Sequence, residues 1–168
     1  EKKKNQFKNI HTEFPALISK LSNEEKIEQF IHLSSLGIDN ALDSIYAVSK
    51  IEGEKAVKKN FKHSVILKPS LVYSVDDNFT TNFMTLLNLL PIIPLYYEGK
   101  TKFTPIHVTD MTSIIFEIVN RKVTGQVIEC VGPEELSFKE IIIKILKSID
   151  KKRLLIPIPI LIAKIFAK

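Results

Sequence analysis

The clearest structural pattern in the chain runs through three consecutive segments: Gln29-Phe-Ile-His-Leu-Ser-Ser35, then residues 41–61, then Ser64-Val-Ile-Leu-Lys-Pro69. The first and third are short apolar runs typical of buried strands. The third is expected to end at Pro69, because proline has no N–H to donate to the hydrogen-bond ladder of a sheet. Residues 41–61 carry apolar side chains at helical spacing with charges between them, which predicts an amphipathic helix. Strand, helix and strand over about forty residues indicate one crossover unit of a parallel sheet.

Tyr46 and Lys50 lie four residues apart in the helical segment, so both side chains share one face. A phenol titrates near pH ~10, and an ammonium within ~4 Å favours its phenolate by up to about 4 kcal/mol at an effective dielectric of ~20. Such a tyrosine can act as an acid or a base. The spacing alone is common by chance, and the flanking strands supply the context. Ligands of parallel sheets bind at the carboxyl ends of strands, where Ser34, Ser35 and the turn Lys68-Pro69-Ser70 lie.

These motifs resemble the extended short-chain dehydrogenase/reductase superfamily, of the NAD-dependent epimerase/dehydratase type. The resemblance covers residues 7–166 and rests on Phe30-Ile-His-Leu-Ser-Ser35, Tyr46-Ala-Val-Ser-Lys50, Ile66-Leu-Lys-Pro-Ser70 and Phe103-Thr-Pro-Ile-His-Val-Thr-Asp110. Within the superfamily the chain is most similar to the atypical branch that holds the dehydrogenase-like accessory subunit of respiratory complex I and its bacterial relatives. That similarity rests on Ser34-Ser-Leu-Gly37, Glu52-Gly-Glu-Lys-Ala56 and Arg153-Leu-Leu-Ile-Pro-Ile-Pro159.

The resemblance implies a role for each residue of the site. Ser35 would polarise the substrate oxygen, Tyr46 would be the acid/base, and Lys50 would lower the tyrosine pKa and hold the nicotinamide ribose. The residues implied to contact the cofactor are Ser34, Tyr46, Lys50, Lys68, Pro69 and Ser70. Two positions depart from the family pattern: Lys68 stands where arginine is usual, and Ser74 where the loop often has glycine.

We therefore expect an α/β fold: the C-terminal part of a Rossmann-like parallel sheet with helices, plus a smaller mixed α/β substrate lobe. Residues 1–75 would be the second half of an NAD(P)-binding Rossmann domain. Residues 76–168 would be the substrate lobe, interleaved with the last sheet strands and ending in an apolar tail.

Periodicity and capping residues predict further elements. Four are helices: residues 7–21, residues 79–90, a helix from Thr109 or Asp110 to about residue 120, and a helix from Ser137 to about residue 148. Two are strands, at residues 101–108 and 127–131. Five aromatic residues are candidates for a substrate pocket, with core packing as the alternative: Phe79, Phe83, Tyr96, Tyr97 and Phe103.

The glycine-rich turn that holds the pyrophosphate in this superfamily has no counterpart here. The five glycines form no G-x-G-x-x-G frame, and the chain begins at Glu1 rather than methionine. We expect a fragment that lacks the first half of a nucleotide-binding domain, rather than a protein that evolved without one. NAD or NADP would be bound by the full-length parent, and very weakly by residues 1–168 alone.

Composition argues against several other classes of function. The chain has a net charge of +5 and a pI of about 9.2, but its lysines are scattered without the interleaved aromatic residues of a nucleic-acid platform. A lone Cys130 excludes a disulfide framework and predicts a small buried side chain. His107 and Asp110 have no third ligand near them in sequence, so no metal site is predicted. His11 falls where relatives keep polar residues near the cofactor, although a surface or partly buried histidine is the expected alternative.

The C-terminal tail, residues 154–168, is strongly apolar with two prolines and two lysines one turn apart. Packing against the substrate lobe is one interpretation, and contact with a membrane surface is the other. We expect a cytoplasmic protein, with a peripheral position at the inner face of the membrane (the matrix side in a eukaryote) as the alternative.

Two functions remain open at this point. One is a binding and structural role in respiratory complex I, with NAD(P) as a folding element. The other is an active oxidoreductase, epimerase or dehydratase that uses Ser35, Tyr46 and Lys50 on a small-molecule substrate.

Overall fold

A computed structural model describes residues 2–158, with the side chains of residues 4–158. Its helices are α1 (Lys2–Lys8), α2 (Phe14–Glu24), α3 (Ile45–Asn60), α4 (Asn78–Leu89), α5 (Val108–Asn120) and α6 (Phe138–Ser148). Its strands are β1 (Ile31–Leu33), β2 (Val65–Pro69), β3 (Val72–Tyr73), β4 (Ile92–Tyr96), β5 (Lys102–Phe103), β6 (Ile106–His107), β7 (Val127–Cys130), β8 (Leu136–Ser137) and β9 (Leu154–Ile158). The α/β class is confirmed.

The described chain forms two compact units, residues 2–70 with 109–131 and residues 71–108 with 132–158. The assignment of residues 1–75 to cofactor binding and of 76–168 to substrate binding stays a prediction.

The first unit is built on a three-stranded parallel sheet in the order β1-β2-β7. The central strand β2 is apolar at Val65, Ile66 and Leu67, and all three side chains are fully buried. A strand that is covered on both faces has a continuous run of apolar residues, and this pattern predicted β2 from the sequence. The predicted strand–helix–strand unit is thus present as β1, α3 and β2.

The N-terminal helix continues from α1 through a π-helical segment, Asn9–Glu13, into α2. It packs along α3, and the two backbones meet at Gly53. A Cβ atom built on Gly53 would lie 1.9 Å from the carbonyl oxygen of His11. Only glycine permits that approach, so Gly53 sets how closely the π-helical segment lies against α3.

Helix α3 begins at Ile45 rather than at the predicted residue 41. The Ser44 side chain accepts a hydrogen bond from the backbone N–H of Ala47, so serine caps the first turn. The residues before it form a short 3-10 helix, Ile38–Asn40, and a turn. The amphipathic pattern extended the prediction too far because apolar spacing alone does not mark a cap.

The second unit contains three two-stranded pairs: β3 with β6 and β4 with β9, both parallel, and β5 with β8, antiparallel. Its core lies between α4, β4 and α6. The buried side chains of this core are Leu87, Ile93, Ile141, Ile142, Ile145 and Leu146. Helix α6 begins with the predicted capping box, because Ser137 and Glu140 exchange side-chain and backbone hydrogen bonds.

The single strand predicted at 101–108 is wrong, since two short strands occupy that range. The chain changes its pairing partner at Thr104 and Pro105: the strand before them, β5, pairs with β8, and the strand after them, β6, pairs with β3. Pro105 has no N–H to continue a ladder. The carbonyl of Thr104 instead accepts from the backbone N–H of Gly132, at 3.0 Å.

Three further predictions concern element ends and the tail. Helix α5 begins at Val108, one residue before the expected cap at Thr109. Residues 154–158 of the tail form β9, which pairs with β4, while residues 159–168 lie outside the described part of the chain. Among residues 2–158, no helix combines the length and the apolar character that crossing a bilayer would require.

Candidate functional site

The candidate site lies at the carboxyl ends of β1 and β2. Ser34 donates its backbone N–H to the carbonyl of Leu67 at 2.7 Å, and Leu36 donates to the carbonyl of Pro69 at 2.9 Å. Ser35 therefore sits between two backbone bonds that fasten this segment to β2. Its place beyond the end of a parallel strand is the position where ligands bind in such sheets.

Lys50 reaches this strand end from α3. Its ammonium nitrogen donates to the backbone carbonyl of Leu33, the last residue of β1, at 3.1 Å. Partial burial lowers the Lys50 pKa, and the charge of Glu54 opposes that effect. An ammonium has three donor hydrogens, so two remain for a ligand after the bond to Leu33.

Tyr46 lies one turn before Lys50 on the same helix and is 38% exposed. Its ring meets two N-terminal aromatic side chains edge-on: the Phe7 ring at a centroid distance of 5.9 Å and the His11 ring at 5.1 Å. Phe7 and His11 in turn stack on each other at 5.3 Å. The N-terminal helix thus fixes the orientation of the tyrosine ring.

His11 is partly buried and is held by Ser49 of α3. Its Nδ1 atom lies 3.0 Å from the Ser49 hydroxyl, and that hydroxyl donates to the carbonyl of Tyr46 at 2.7 Å. Because the serine proton is used, Nδ1 must carry the proton in the contact with Ser49. Partial burial, and then the charge of Lys50, lower the His11 pKa, and both effects favour the neutral ring.

Two of the predicted cofactor contacts, Ser34 and Lys68, belong to a buried polar network centred on Glu54. The Ser34 hydroxyl donates to one carboxylate oxygen of Glu54. The Lys68 ammonium lies 3.3 Å from the other oxygen and 2.8 Å from a carboxylate oxygen of Asp39. Burial alone would lower the Lys68 pKa, but the two carboxylates outweigh it and the pKa is raised.

This network ties the end of β1 to α3 and β2. It occupies the Ser34 hydroxyl and the Lys68 ammonium, so direct contacts of these groups with a cofactor stay predictions. Pro69 and Ser70 lie beside β7, where the Ser70 N–H donates to the carbonyl of Cys130 at 2.9 Å. Cys130 is fully buried, as its sequence context predicted.

Sequence reasoning missed Glu54 as part of the site. It lies four residues after Lys50 and eight after Tyr46, so the helical spacing that singled out the pair also places Glu54 on their face. The helical spacing of this carboxylate from the tyrosine and the lysine could therefore have identified it as a residue of the site. It was overlooked because charged side chains on a helix usually face solvent.

His32 was also missed. It lies on β1, is only 8% exposed, and its Nε2 atom finds no hydrogen-bond partner within the described residues. Burial lowers its pKa to about 4, the charge of Lys50 adds to that effect, and Glu54 opposes it. Nothing in the sequence distinguishes this histidine from an exposed one on an edge strand.

Metal ligands do not cluster in residues 2–158: no three histidine, cysteine or carboxylate side chains come together there. The residues present suit the nicotinamide–ribose end of a dinucleotide, since they offer the two remaining Lys50 hydrogens and an exposed phenol.

No family model matches the chain. In sequence it is 30% identical over 129 residues to mouse NADH dehydrogenase (ubiquinone) 1 alpha subcomplex subunit 9, mitochondrial, covering 76% of this chain and 34% of that protein. The chain spans about a third of the length of such curated relatives.

Two solved structures show the fold. The dTDP-4-dehydrorhamnose reductase of Bacillus anthracis, in complex with NADP, superposes with a TM-score of 0.76 at 18% identity, over 95% of this chain and 60% of that one. The UDP-glucuronic acid 4-epimerase of Bacillus cereus, in complex with NAD, gives 0.70 at 22% identity, over 86% and 54%. The chain therefore has the fold of the short-chain dehydrogenase/reductase superfamily and is related in sequence to the complex I accessory subunit, as its motifs predicted.

Proposed function

We propose that the protein carrying this chain binds a nicotinamide dinucleotide as a structural element and serves in respiratory complex I. The observation that carries the proposal is the relationship in sequence to a mitochondrial NADH dehydrogenase subunit over three quarters of the chain. The anchoring of Lys50 on Leu33, beside an exposed Tyr46, supports a nucleotide at this strand end.

In this role the residues of the site bind and orient the nicotinamide end of the dinucleotide. The two free hydrogens of the Lys50 ammonium would hold the ribose hydroxyls, and the Tyr46 phenol would lie beside the nicotinamide ring. Ser35, Pro69 and Ser70 would complete that end of the pocket. When bound, the nicotinamide could supply hydride-transfer chemistry, but the structural role needs only its binding energy, which stabilises the folded state by mass action.

We also propose a location. The relatives are named as mitochondrial proteins, which supports a position with complex I, peripheral at the inner face of the membrane or on the matrix side. Residues 154–168 are the proposed membrane-proximal segment.

The test uses the full-length protein in cells that lack it. Tyr46→Phe should restore complex I to the wild-type level on native gels, because a structural nucleotide needs no proton transfer. Lys50→Met should lower the thermal stabilisation by NADPH, while Lys55→Met, an exposed residue on the same helix, should leave it unchanged. Measurable hydride turnover in the wild type that Tyr46→Phe abolishes, with complex I assembly unchanged, would instead support the oxidoreductase alternative.

A further inference from the structure

The second unit holds a cavity of about 510 Å³. That volume lies within the range of about 300–1,000 Å³ typical of small-molecule sites. All its lining residues belong to this unit, so the cavity does not depend on the dinucleotide end of the chain. Its lining includes five apolar side chains, which we call its floor and walls: Leu71, Phe79, Leu136, Ile141 and Ile145. The more polar lining residues, which we call its mouth, include Tyr73, Thr80, Glu134, Lys144 and Ser148.

The floor and walls of the cavity are apolar. Ile141 and Ile145 belong to the core of the unit, and Leu71, Phe79 and Leu136 pack against that core. On the cavity side these side chains lack the contacts that a packed interior would give them. An apolar body that enters the cavity would extend the hydrophobic core and remove its walls from water.

The mouth of the cavity is polar but nearly neutral. Lys144, the one basic residue among the lining side chains, pairs with Glu134 at 2.7 Å. The Ser148 hydroxyl donates to the carbonyl of Ile145 at 2.8 Å, which leaves its oxygen as an acceptor. The groups around the mouth can therefore form hydrogen bonds, but they offer no uncompensated cation to a diphosphate.

We propose that this cavity binds an uncharged amphipathic small molecule, with its chain or ring in the apolar interior and its hydroxyl or carbonyl head at the Lys144–Glu134 pair. A solved structure of similar fold, at 14% identity and a TM-score of 0.71, holds UDP-glucose. The neutral mouth of this cavity suits a different class of ligand. The inference stands apart from the proposed function, since it holds whether or not the dinucleotide binds.

The probe is Nile red, a neutral apolar dye, titrated into the purified protein with and without NADPH. We expect saturable fluorescence that 1-decanol displaces and that UDP-glucose leaves unchanged. Ser148→Phe and Thr80→Phe, which place a large ring at two different lining positions, should each weaken dye binding at least tenfold. The matched controls Lys147→Phe and Thr81→Phe place the same ring on neighbouring exposed positions and should bind as the wild type does.

Near-ultraviolet circular dichroism identifies the variants that remain folded, and either folded filling variant suffices for the test. The proposal is overturned if a folded filling variant binds the dye as tightly as its control, or if UDP-glucose displaces the dye. It is also overturned if dye binding appears only after residues 159–168 are removed, because the apolar tail would then be the occupant.

Discussion

The buried ring of His32 should make the protein lose stability in mild acid. His32 lies on β1, and its Nε2 atom has no hydrogen-bond partner among the described residues. Lys50 and His11 disfavour a second proton on the ring, and Glu54 favours it. Burial dominates these effects and lowers the pKa to about 4 from an ordinary value of 6.5.

The sign of the effect follows from proton binding in the two states. Between pH 6.5 and about 4, the unfolded chain protonates this histidine while the folded chain does not. The free energy of unfolding therefore falls as pH drops through this window, and the loss is complete below about pH 4. At 1.36 kcal/mol per pH unit, the full loss is about 3 kcal/mol.

The assay is urea unfolding of the wild type and of His32→Leu between pH 7 and pH 4. We expect the wild type to lose about 3 kcal/mol more than the variant over this range. At pH 7 the variant should be at least as stable, because leaving a buried polar atom unpartnered costs about 1–3 kcal/mol. His63→Leu, at an exposed histidine, serves as the control and should follow the wild type. Parallel pH profiles for the wild type and His32→Leu would show that His32 does not cause the loss of stability in acid.

Two further substitutions test the packing around the site. Gly53→Ala should destabilise the protein by about 1–3 kcal/mol or more, because the added Cβ meets the backbone of His11; thermal melting that matches the wild type would contradict this contact. Glu54→Gln should cost about 1–3 kcal/mol in urea unfolding, because Lys68 loses a carboxylate at 3.3 Å but keeps Asp39 at 2.8 Å. Glu52→Gln on the exposed side of the same helix is the control for both, and a loss at Glu52 equal to that at Glu54 would exclude a specific role for the network.

Several parts of the fold could be predicted because their signals are local. The buried run of β2, the Asp77 cap of α4 and the capping box at Ser137 each depend on residues within a few positions of one another. The pair of Tyr46 and Lys50 was predictable for the same reason, since helical spacing places them on one face.

Other parts depend on partners distant in sequence. Residues 101–108 form two strands because residues 102–103 pair with β8 while residues 106–107 pair with β3. The bond from Lys50 to Leu33 joins residues 17 positions apart, and the Glu54 network draws on Asp39 and Lys68 from two further segments. Helical spacing places Glu54 on the face of Tyr46 and Lys50, but no pattern in the sequence shows which distant residues these side chains contact.

Local patterns in the amino-acid sequence were enough to predict the parallel strand–helix–strand unit, the helix face that carries Tyr46 and Lys50, and the superfamily fold. These depend on the period of apolar residues and on short motifs, which the chain carries locally. The folded structure was needed to show that Glu54 accepts from the Ser34 hydroxyl and pairs with the Lys68 ammonium. It was also needed to show that His32 is buried and that its Nε2 finds no partner among the described residues. Burial and charge pairing are set by which segments meet in space, and that information appears only when the chain has folded.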